Sequence, residues 1–202
     1  MDFQSILSEK RAFVFDLDNV LYPEKDYLLQ VYYLFAQFIE YGEQINAAEI
    51  VAFMQSAYLE EGAEGIFERT AEKFDIPLKY KLNFDLLLQN ARLPLKLLIY
   101  KGVLNLLQEI VGQAKQLFLF ADGHPQMQLN KIRQVEWNGL EKNLVVYFAE
   151  ESAPKPDPKG LELIMEKHNF RPEEVVLIGH TENDRICAGS AGIDFFSVDK
   201  LL

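Results

Sequence analysis

Five short apolar runs recur along the chain at wide intervals. They cover residues 12–15, 116–121, 144–149, 175–179 and 194–198. Each run is four to six residues long, rich in Val and Phe, and ends at turn residues or charges, which is typical of a buried strand. Segments with helical spacing lie between the later runs, at 102–111, 125–135 and 158–167. This alternation predicts an α/β fold with a parallel sheet that helices cover on both faces.

The stretch from residue 27 to about residue 93 departs from this rhythm, because it shows one helix after another and no convincing strand. We therefore predict an all-helical insertion at residues 23–95, within a core domain formed by residues 1–22 and 96–202. The aromatic side chains of its first helix fit either a helix core or a base-stacking surface, and their helical spacing favours the core. They are Tyr27, Tyr32, Tyr33, Phe35, Phe38 and Tyr41.

The composition limits the classes of protein that this chain can belong to. With 202 residues, 49% of them hydrophobic, it can bury one good core and carry a smaller inserted domain. Its net charge of −11 argues against a nucleic-acid polymer as partner. The single cysteine rules out an internal disulfide, and no apolar stretch reaches the roughly 20 residues that cross a bilayer. We expect a soluble cytoplasmic protein without a membrane partner, and the oligomeric state stays open.

Two aspartates, Asp16 and Asp18, follow the first predicted strand. Ligands of an open parallel sheet bind at the carboxyl ends of its strands, so we expect both carboxylates in one binding site at that edge of the sheet. One aspartate can attack phosphorus, while a second carboxyl group protonates the leaving oxygen and then deprotonates water. The alternative is that these aspartates only cap a turn or a helix.

The segment DLDNVLYP resembles the first motif, DxDx(T/V), of the haloacid dehalogenase superfamily, and its flanks are similar to the pyrimidine 5'-nucleotidase-like branch. The resemblance implies a Rossmann-like core with a helical type 1 cap inserted soon after this motif. It also implies that Asp16 is the nucleophile. Asp18 would be the general acid and base and would give its backbone carbonyl to Mg²⁺.

The second motif of that superfamily ends a strand with Ser or Thr, often as TNG, and holds the phosphoryl group. Here Ala121 takes the hydroxyl position, Asp122 replaces the common Asn, and Gly123 follows. Backbone amides of Asp122 and Gly123 could still bind an oxyanion. Loss of a hydrogen bond to a charged group slows turnover by roughly tenfold to a hundredfold.

The third and fourth motifs supply a lysine and the remaining metal ligands. Lys155, in the sequence KPDP, matches the lysine that neutralises the nucleophile and the phosphate together. In GHTEND, His180 stands where the first metal-binding Asp belongs and Asp184 keeps the second carboxylate position. The predicted metal ligands are therefore Asp16, Asp18, His180 and Asp184. Imidazole suits softer metals than Mg²⁺, so Mn²⁺ is an alternative cofactor.

Two functions fit this pattern. In the first, which we favour, the chain is a metal-dependent phosphatase of a small phosphorylated metabolite, with a nucleoside monophosphate as the candidate that the resemblance suggests, slowed by Ala121, Asp122 and His180. In the second, it is a degenerate member that binds a ligand or partner without turnover. Hydrolysis of a carbon–halogen bond is disfavoured, since that chemistry needs neither Asp18 nor Asp184 in these roles.

Overall fold

A five-stranded parallel sheet organises one of the two structural units of this protein. The computed structural model describes residues 3–202, so Met1 and Asp2 of the predicted core domain lie outside the described residues. The unit with the sheet comprises residues 3–23, Leu97–Leu129 and Val135–Leu202. The second unit comprises Glu24–Lys96 and Asn130–Gln134. Within residues 3–202, no helix combines the length and the apolar character needed to span a membrane.

The strands form at the five predicted apolar runs. They are β1 (Ala12–Phe15), β2 (Gln116–Ala121), β3 (Leu144–Phe148), β4 (Val175–Gly179) and β5 (Asp194–Ser197), in the spatial order β3-β2-β1-β4-β5. All four neighbouring pairs are parallel. The α/β fold with a parallel sheet is therefore confirmed. Two strands end one residue earlier than predicted, because the chain turns there into short 3-10 helices at Ala149–Glu151 and Val198–Lys200.

The described part of the chain contains nine α-helices. They are α1 (Phe3–Glu9), α2 (Glu24–Glu43), α3 (Ala47–Glu61), α4 (Ile66–Phe74), α5 (Lys81–Asn90), α6 (Lys101–Gly112), α7 (Pro125–Gln134), α8 (Lys159–His168) and α9 (Glu182–Ser190). Helices α6, α7 and α8 form at the three segments with helical spacing, and α9 follows β4 in the same alternation.

The central strand β1 brings the carboxyl ends of three strands to one edge. All four β1 residues are buried, as expected for a strand with neighbours on both sides and cover on both faces. Phe15 lies beside Leu119 of β2 and Ile178 of β4 in the register. The next residue, Asp16, donates its backbone N–H to the Ile178 carbonyl at 3.0 Å. Asp16 is thereby fixed where the ligands of parallel sheets bind.

The helical unit has an aromatic core of its own. Tyr32, Phe35, Phe67 and Phe84 contact one another with ring centroids 5.1 to 6.2 Å apart. Of the six aromatic residues assigned to the core from periodicity, half are buried and half are exposed. The buried ones are Tyr27, Tyr32 and Phe35, and the exposed ones are Tyr33, Phe38 and Tyr41. The core assignment was therefore wrong for the last three, because aromatics cover nearly the whole circumference of α2 and only one side of it packs.

Close packing of α8 on the sheet generates a testable prediction. A Cβ added at Gly160 would lie 2.2 Å from Cζ of Phe120, whose ring is buried in the core. Gly160→Ala is therefore expected to lower the free energy of unfolding by about 1 to 3 kcal/mol through overpacking. Gly189→Ala, in α9, meets nothing within 4 Å and is expected to stabilise by about 0.5 kcal/mol. Urea unfolding of both variants tests this, and equal effects would contradict it.

Candidate active site

A buried lysine joins the ends of two strands. Lys155 lies in the loop between β3 and α8, and its side chain has no solvent exposure. Its Nζ donates to Oδ1 of Asp16 at 2.9 Å and to Oδ1 of Asp184 at 2.8 Å. The ammonium also lies 5.2 Å from the centre of the Phe120 ring. The structure thus brings Lys155, Asp16 and Asp184 to one point at the carboxyl edge of the sheet.

The chain turns sharply after Asp16 and thereby places Asp18. The Leu17 carbonyl accepts from the backbone N–H groups of Val20 and Leu21, and Asn19 adopts a left-handed conformation with φ of 58°. Asn tolerates that region better than most residues. The carboxylate of Asp18 accepts from the Tyr22 hydroxyl at 2.9 Å. Asp18 is partly exposed, whereas Asp16 is buried.

Burial and the shared lysine shift the titration of all three central groups. Burial raises the pKa of Asp16 from 3.8 to about 6, against the opposing attraction of Lys155. Burial would also raise the pKa of Asp184, but Lys155 and the donors of Thr181 hold it below its ordinary value. For Lys155, burial would lower the pKa, but the two carboxylates raise it above its ordinary value. Lys155 therefore stays charged, and Asp16 is the group that titrates near neutral pH.

The residues at the end of β2 add a third carboxylate. Ala121 is fully buried and offers no hydroxyl, and Gly123 adopts a left-handed φ of 91°. The Asp122 side chain turns toward Lys155, because its Oδ1 accepts from the Lys155 backbone N–H at 3.2 Å and its Oδ2 lies 3.6 Å from Nζ. One ammonium therefore faces three carboxylates, a formal sum of 1 − 3 = −2 when all are ionised. This local charge opposes the binding of an anion.

Asp184 is held at the start of α9 by a dense set of donors. Its Oδ2 accepts from the backbone N–H groups of His180 and Thr181 and from the Thr181 hydroxyl, at 2.8 to 3.1 Å. Thr181 is the N-cap and in turn accepts from the Asp184 N–H, which completes a capping box. The contact requires glycine at 179, since a Cβ there would lie 2.6 Å from Cβ of Asp184.

The structure does not gather the four predicted metal ligands into one group among the described residues. Mg²⁺ needs several oxygen ligands aimed at one point. Both carboxylate oxygens of Asp184 already accept hydrogen bonds, and Nδ1 of His180 lies 3.3 Å from Oδ1 of Asp199 in an exposed pair. Among residues 3–202, no group of three or more His, Cys, Asp or Glu side chains could hold a metal ion. The chemistry proposed for this site assigns no step to a metal.

Sequence reasoning missed Gln128, a buried amide in α7. Its Nε2 donates to Oδ2 of Asp18 at 3.2 Å and to the Asp122 carbonyl. Its Oε1 is buried and has no hydrogen-bond partner in the part of the chain that the structure describes. Gln128 therefore links Asp18 to the end of β2. No sequence pattern distinguishes this glutamine, and its role emerges only from its burial and its contact with Asp18.

Comparisons with known proteins agree with this architecture. A family model described as haloacid dehalogenase-like hydrolase matches residues 13–198. A phosphoglycolate phosphatase of Vibrio vulnificus (strain YJ016) is 32% identical over 66 residues, which make up 32% of this chain and only 29% of that protein.

Solved structures are similar over almost the whole chain at low identity. A HAD family hydrolase from Deinococcus radiodurans R1, solved with bound phosphate and sodium, superposes with a TM-score of 0.58 at 16% identity, over 94% of this chain and 80% of that one. The protein YfnB from Bacillus subtilis, bound to magnesium, gives a TM-score of 0.62 at 16% identity, over 93% and 86% of the two chains. At these identities the likeness concerns the fold alone.

The pKa shift of Asp16 generates a prediction about stability. Between about pH 4 and pH 6 the folded state binds a proton at Asp16 that the unfolded state releases, so stability falls as pH rises through this window. Asp16→Asn, which mimics the protonated form, is therefore expected to raise the free energy of unfolding at pH 8 by about 1 to 3 kcal/mol. The gain should shrink toward pH 4. Urea unfolding as a function of pH measures both.

Asp184→Asn is the matched control for this prediction. The pKa of Asp184 is lowered in the folded state, so its ionised form stabilises the fold at all pH values above its unfolded pKa. This variant is expected to lower stability at pH 8. A loss of stability at pH 8 in Asp16→Asn, as large as that in Asp184→Asn, would contradict the assignment.

Proposed function

Because the chain belongs to the haloacid dehalogenase-like hydrolase family, we propose that it hydrolyses a small phosphate ester by attack of Asp16 on phosphorus. The observation that carries this proposal is the buried contact of 2.9 Å between Lys155 Nζ and Asp16 Oδ1 at the carboxyl edge of the sheet. It sets a nucleophile beside a cation that stays charged. The phosphoglycolate phosphatase relative and the phosphate-bound Deinococcus structure are consistent with a phosphate ester as substrate.

The proposed reaction has two displacement steps. In the first, an Asp16 carboxylate oxygen forms a bond to phosphorus while the bond from phosphorus to the ester oxygen breaks, and Asp18 in its acid form gives a proton to that oxygen. The product is an aspartyl-phosphate. In the second, the Asp18 carboxylate takes a proton from water, whose oxygen attacks phosphorus and breaks the bond to Asp16. Phosphate leaves, and both aspartates return to their starting forms.

Lys155 and Gln128 position the reacting groups in this scheme. Lys155 is proposed to neutralise the charge of Asp16 and of the phosphoryl oxygens, which is the principal catalytic requirement of phosphoryl transfer. Gln128 is proposed as a positioning residue, because its amide orients the Asp18 carboxylate. Backbone amides at Asp122 and Gly123 are proposed to bind a phosphoryl oxygen. Ala121 contributes no donor, so turnover is expected to be slow.

The helical unit is proposed to be the cap domain that the sequence resemblance implies, and to select the substrate. We propose a nucleoside monophosphate as the first substrate to test, since DLDNVLYP and its flanks resemble the pyrimidine 5'-nucleotidase-like branch. Substrate choice by a mobile cap domain is common in enzymes that must exclude water during reaction.

The position of Asp122 supports a second candidate function. Its carboxylate occupies space beside Lys155 and repels a phosphoryl group, and Ala121 removes a donor from the same place. A member of the family with these features could bind a ligand at this site without hydrolysing it. In that case wild type would bind substrate but release no more phosphate than Asp16→Asn.

The raised pKa of Asp16 predicts how kcat/KM decreases toward low pH. Only the ionised carboxylate attacks phosphorus, so kcat/KM is expected to fall about tenfold per pH unit below the pKa of about 6. Phosphate release from a nucleoside monophosphate between pH 4.5 and 8, at roughly half-unit intervals, measures this decrease.

Asp16→Asn serves as the control at every pH of that profile. Its amide is no nucleophile, so phosphate release should drop to the level without enzyme. Equal release by wild type and Asp16→Asn would exclude hydrolysis at this site, and a profile without this decrease toward low pH would exclude Asp16 as the titrating group.

Removing the Asp122 carboxylate is expected to increase activity. Asp122→Asn deletes the charge nearest to the cation after Asp16 and Asp184, and the side chain is 41% exposed, so solvent screens part of the effect. We expect kcat/KM to rise by about tenfold, and more in combination with Ala121→Thr, which adds a donor.

Glu136→Gln is the matched control, because it removes one negative charge from an exposed position of the same unit outside the site. It should leave kcat/KM unchanged. A rise of the same size in both variants would mean that net charge, and not the carboxylate beside Lys155, limits the reaction.

A further inference from the structure

The helical unit contains a cavity of about 700 Å³ that the proposed reaction does not use. The segment that follows α5 forms one wall and the last turns of α7 form the other. All of its lining residues belong to the same unit. The volume lies within the range of sites that hold a nucleotide-sized ligand, about 300 to 1,000 Å³.

Three cations line this cavity and no acid does. Arg92, Lys96 and Arg133 are all exposed, and each lacks an ion-pair partner among residues 3–202. The lining contains neither Asp nor Glu. In a chain with a net charge of −11, a cavity with three unneutralised cations and no acid is a local reversal of charge. Guanidinium groups bind phosphate oxygens through two parallel hydrogen bonds, so the site suits a phosphorylated ligand.

Amide side chains hold the wall that carries Arg92 and Lys96. Gln134 accepts from the Leu93 backbone N–H at 2.6 Å and donates to the Ala91 carbonyl at 2.8 Å. Asn130 donates to the same Ala91 carbonyl at 3.0 Å. Gln30 accepts from the Leu95 N–H at 2.7 Å. Because its backbone is tied at three points, the segment presents its cations from a preorganised loop, which lowers the entropy lost on binding.

An apolar strip completes the cavity. Leu93, Pro94 and Leu95 lie in sequence along the wall, and Leu95 is 71% exposed. We propose that this cavity binds a small molecule that carries a chain of phosphates on an apolar or aromatic body, such as a nucleoside triphosphate. The phosphates contact Arg92, Lys96 and Arg133, and the body packs against the exposed apolar residues of this wall, Pro94 and Leu95. This site is separate in residues and in chemistry from Asp16 and Lys155.

The test uses the full chain and two probes, inorganic tripolyphosphate and ATP, in the presence of a chelator. Isothermal titration should show binding of ATP to wild type that weakens as salt is raised from about 0.05 to 0.5 M. The double variant Arg92→Gln/Arg133→Gln should raise the Kd of both probes by about tenfold or more, because two charge-assisted contacts are lost. Binding is read directly, so the result does not depend on whether the protein hydrolyses anything.

The matched control is Lys25→Gln/Lys73→Gln, which removes two positive charges from exposed positions of the same unit outside the cavity. It should bind both probes like wild type. The proposal is overturned if wild type binds neither probe with a Kd below about 1 mM. It is equally overturned if the arginine variant binds like wild type, since the probe would then bind elsewhere, for example beside Lys155. A control variant that loses as much affinity as the arginine variant would overturn it too. Thermal melting of both variants verifies that they are folded.

Discussion

The buried ammonium of Lys155 is the constraint on which the arrangement of the candidate active site depends. A lone buried charge is costly, so the fold must deliver counter-charges to it from elsewhere in the chain. The parallel sheet does this, because β1 and β4 end side by side and place Asp16 and Asp184 within 2.9 Å of Nζ. Both oxygens of Asp184 are engaged, because Oδ1 accepts from Lys155 and Oδ2 takes part in the capping box of α9. Asp184 is therefore less available for reaction than Asp16. Asp16 keeps one oxygen clear of Lys155 and carries the raised pKa.

The same constraint links two of the three substitutions, Asp122 and Ala121. With Asp122 turned toward Lys155, the ammonium is shared among three carboxylates and has less charge left for a phosphoryl group. Ala121 offers no hydroxyl donor at the same strand end. These two changes therefore both weaken the attraction of the site for an anion, whereas Nδ1 of the exposed His180 lies 3.3 Å from Oδ1 of Asp199. Whether the site hydrolyses a phosphate ester slowly or only binds it depends on how the attraction of Lys155 compares with the repulsion of the carboxylates around it.

The sequence predicted the sheet well because buried strands must be continuously apolar, as β1 and β4 are throughout and β2 is after Gln116. It also predicted that Asp16 and Lys155 would lie near each other, since parallel strands share one carboxyl edge. The direction of the Asp122, Asp184 and His180 side chains could not be predicted. It depends on local hydrogen bonds, such as those from Thr181, that compete for the same oxygens. Gln128 was missed because a buried amide has no distinctive sequence pattern, and its importance arises only from its contact with Asp18.

Charge is distributed differently in the two units, and this difference links the two proposals. In the sheet unit, carboxylates outnumber the ammonium they surround, so an anionic substrate is admitted only against repulsion. In the helical unit, Arg92, Lys96 and Arg133 line a cavity whose lining contains no acid, so the lining itself attracts an anion. With contacts of the same geometry, a phosphorylated molecule is therefore attracted more strongly to the cavity than to the site around Lys155. It follows that the stronger affinity for phosphate in this protein should belong to the helical unit, which does not contain Asp16.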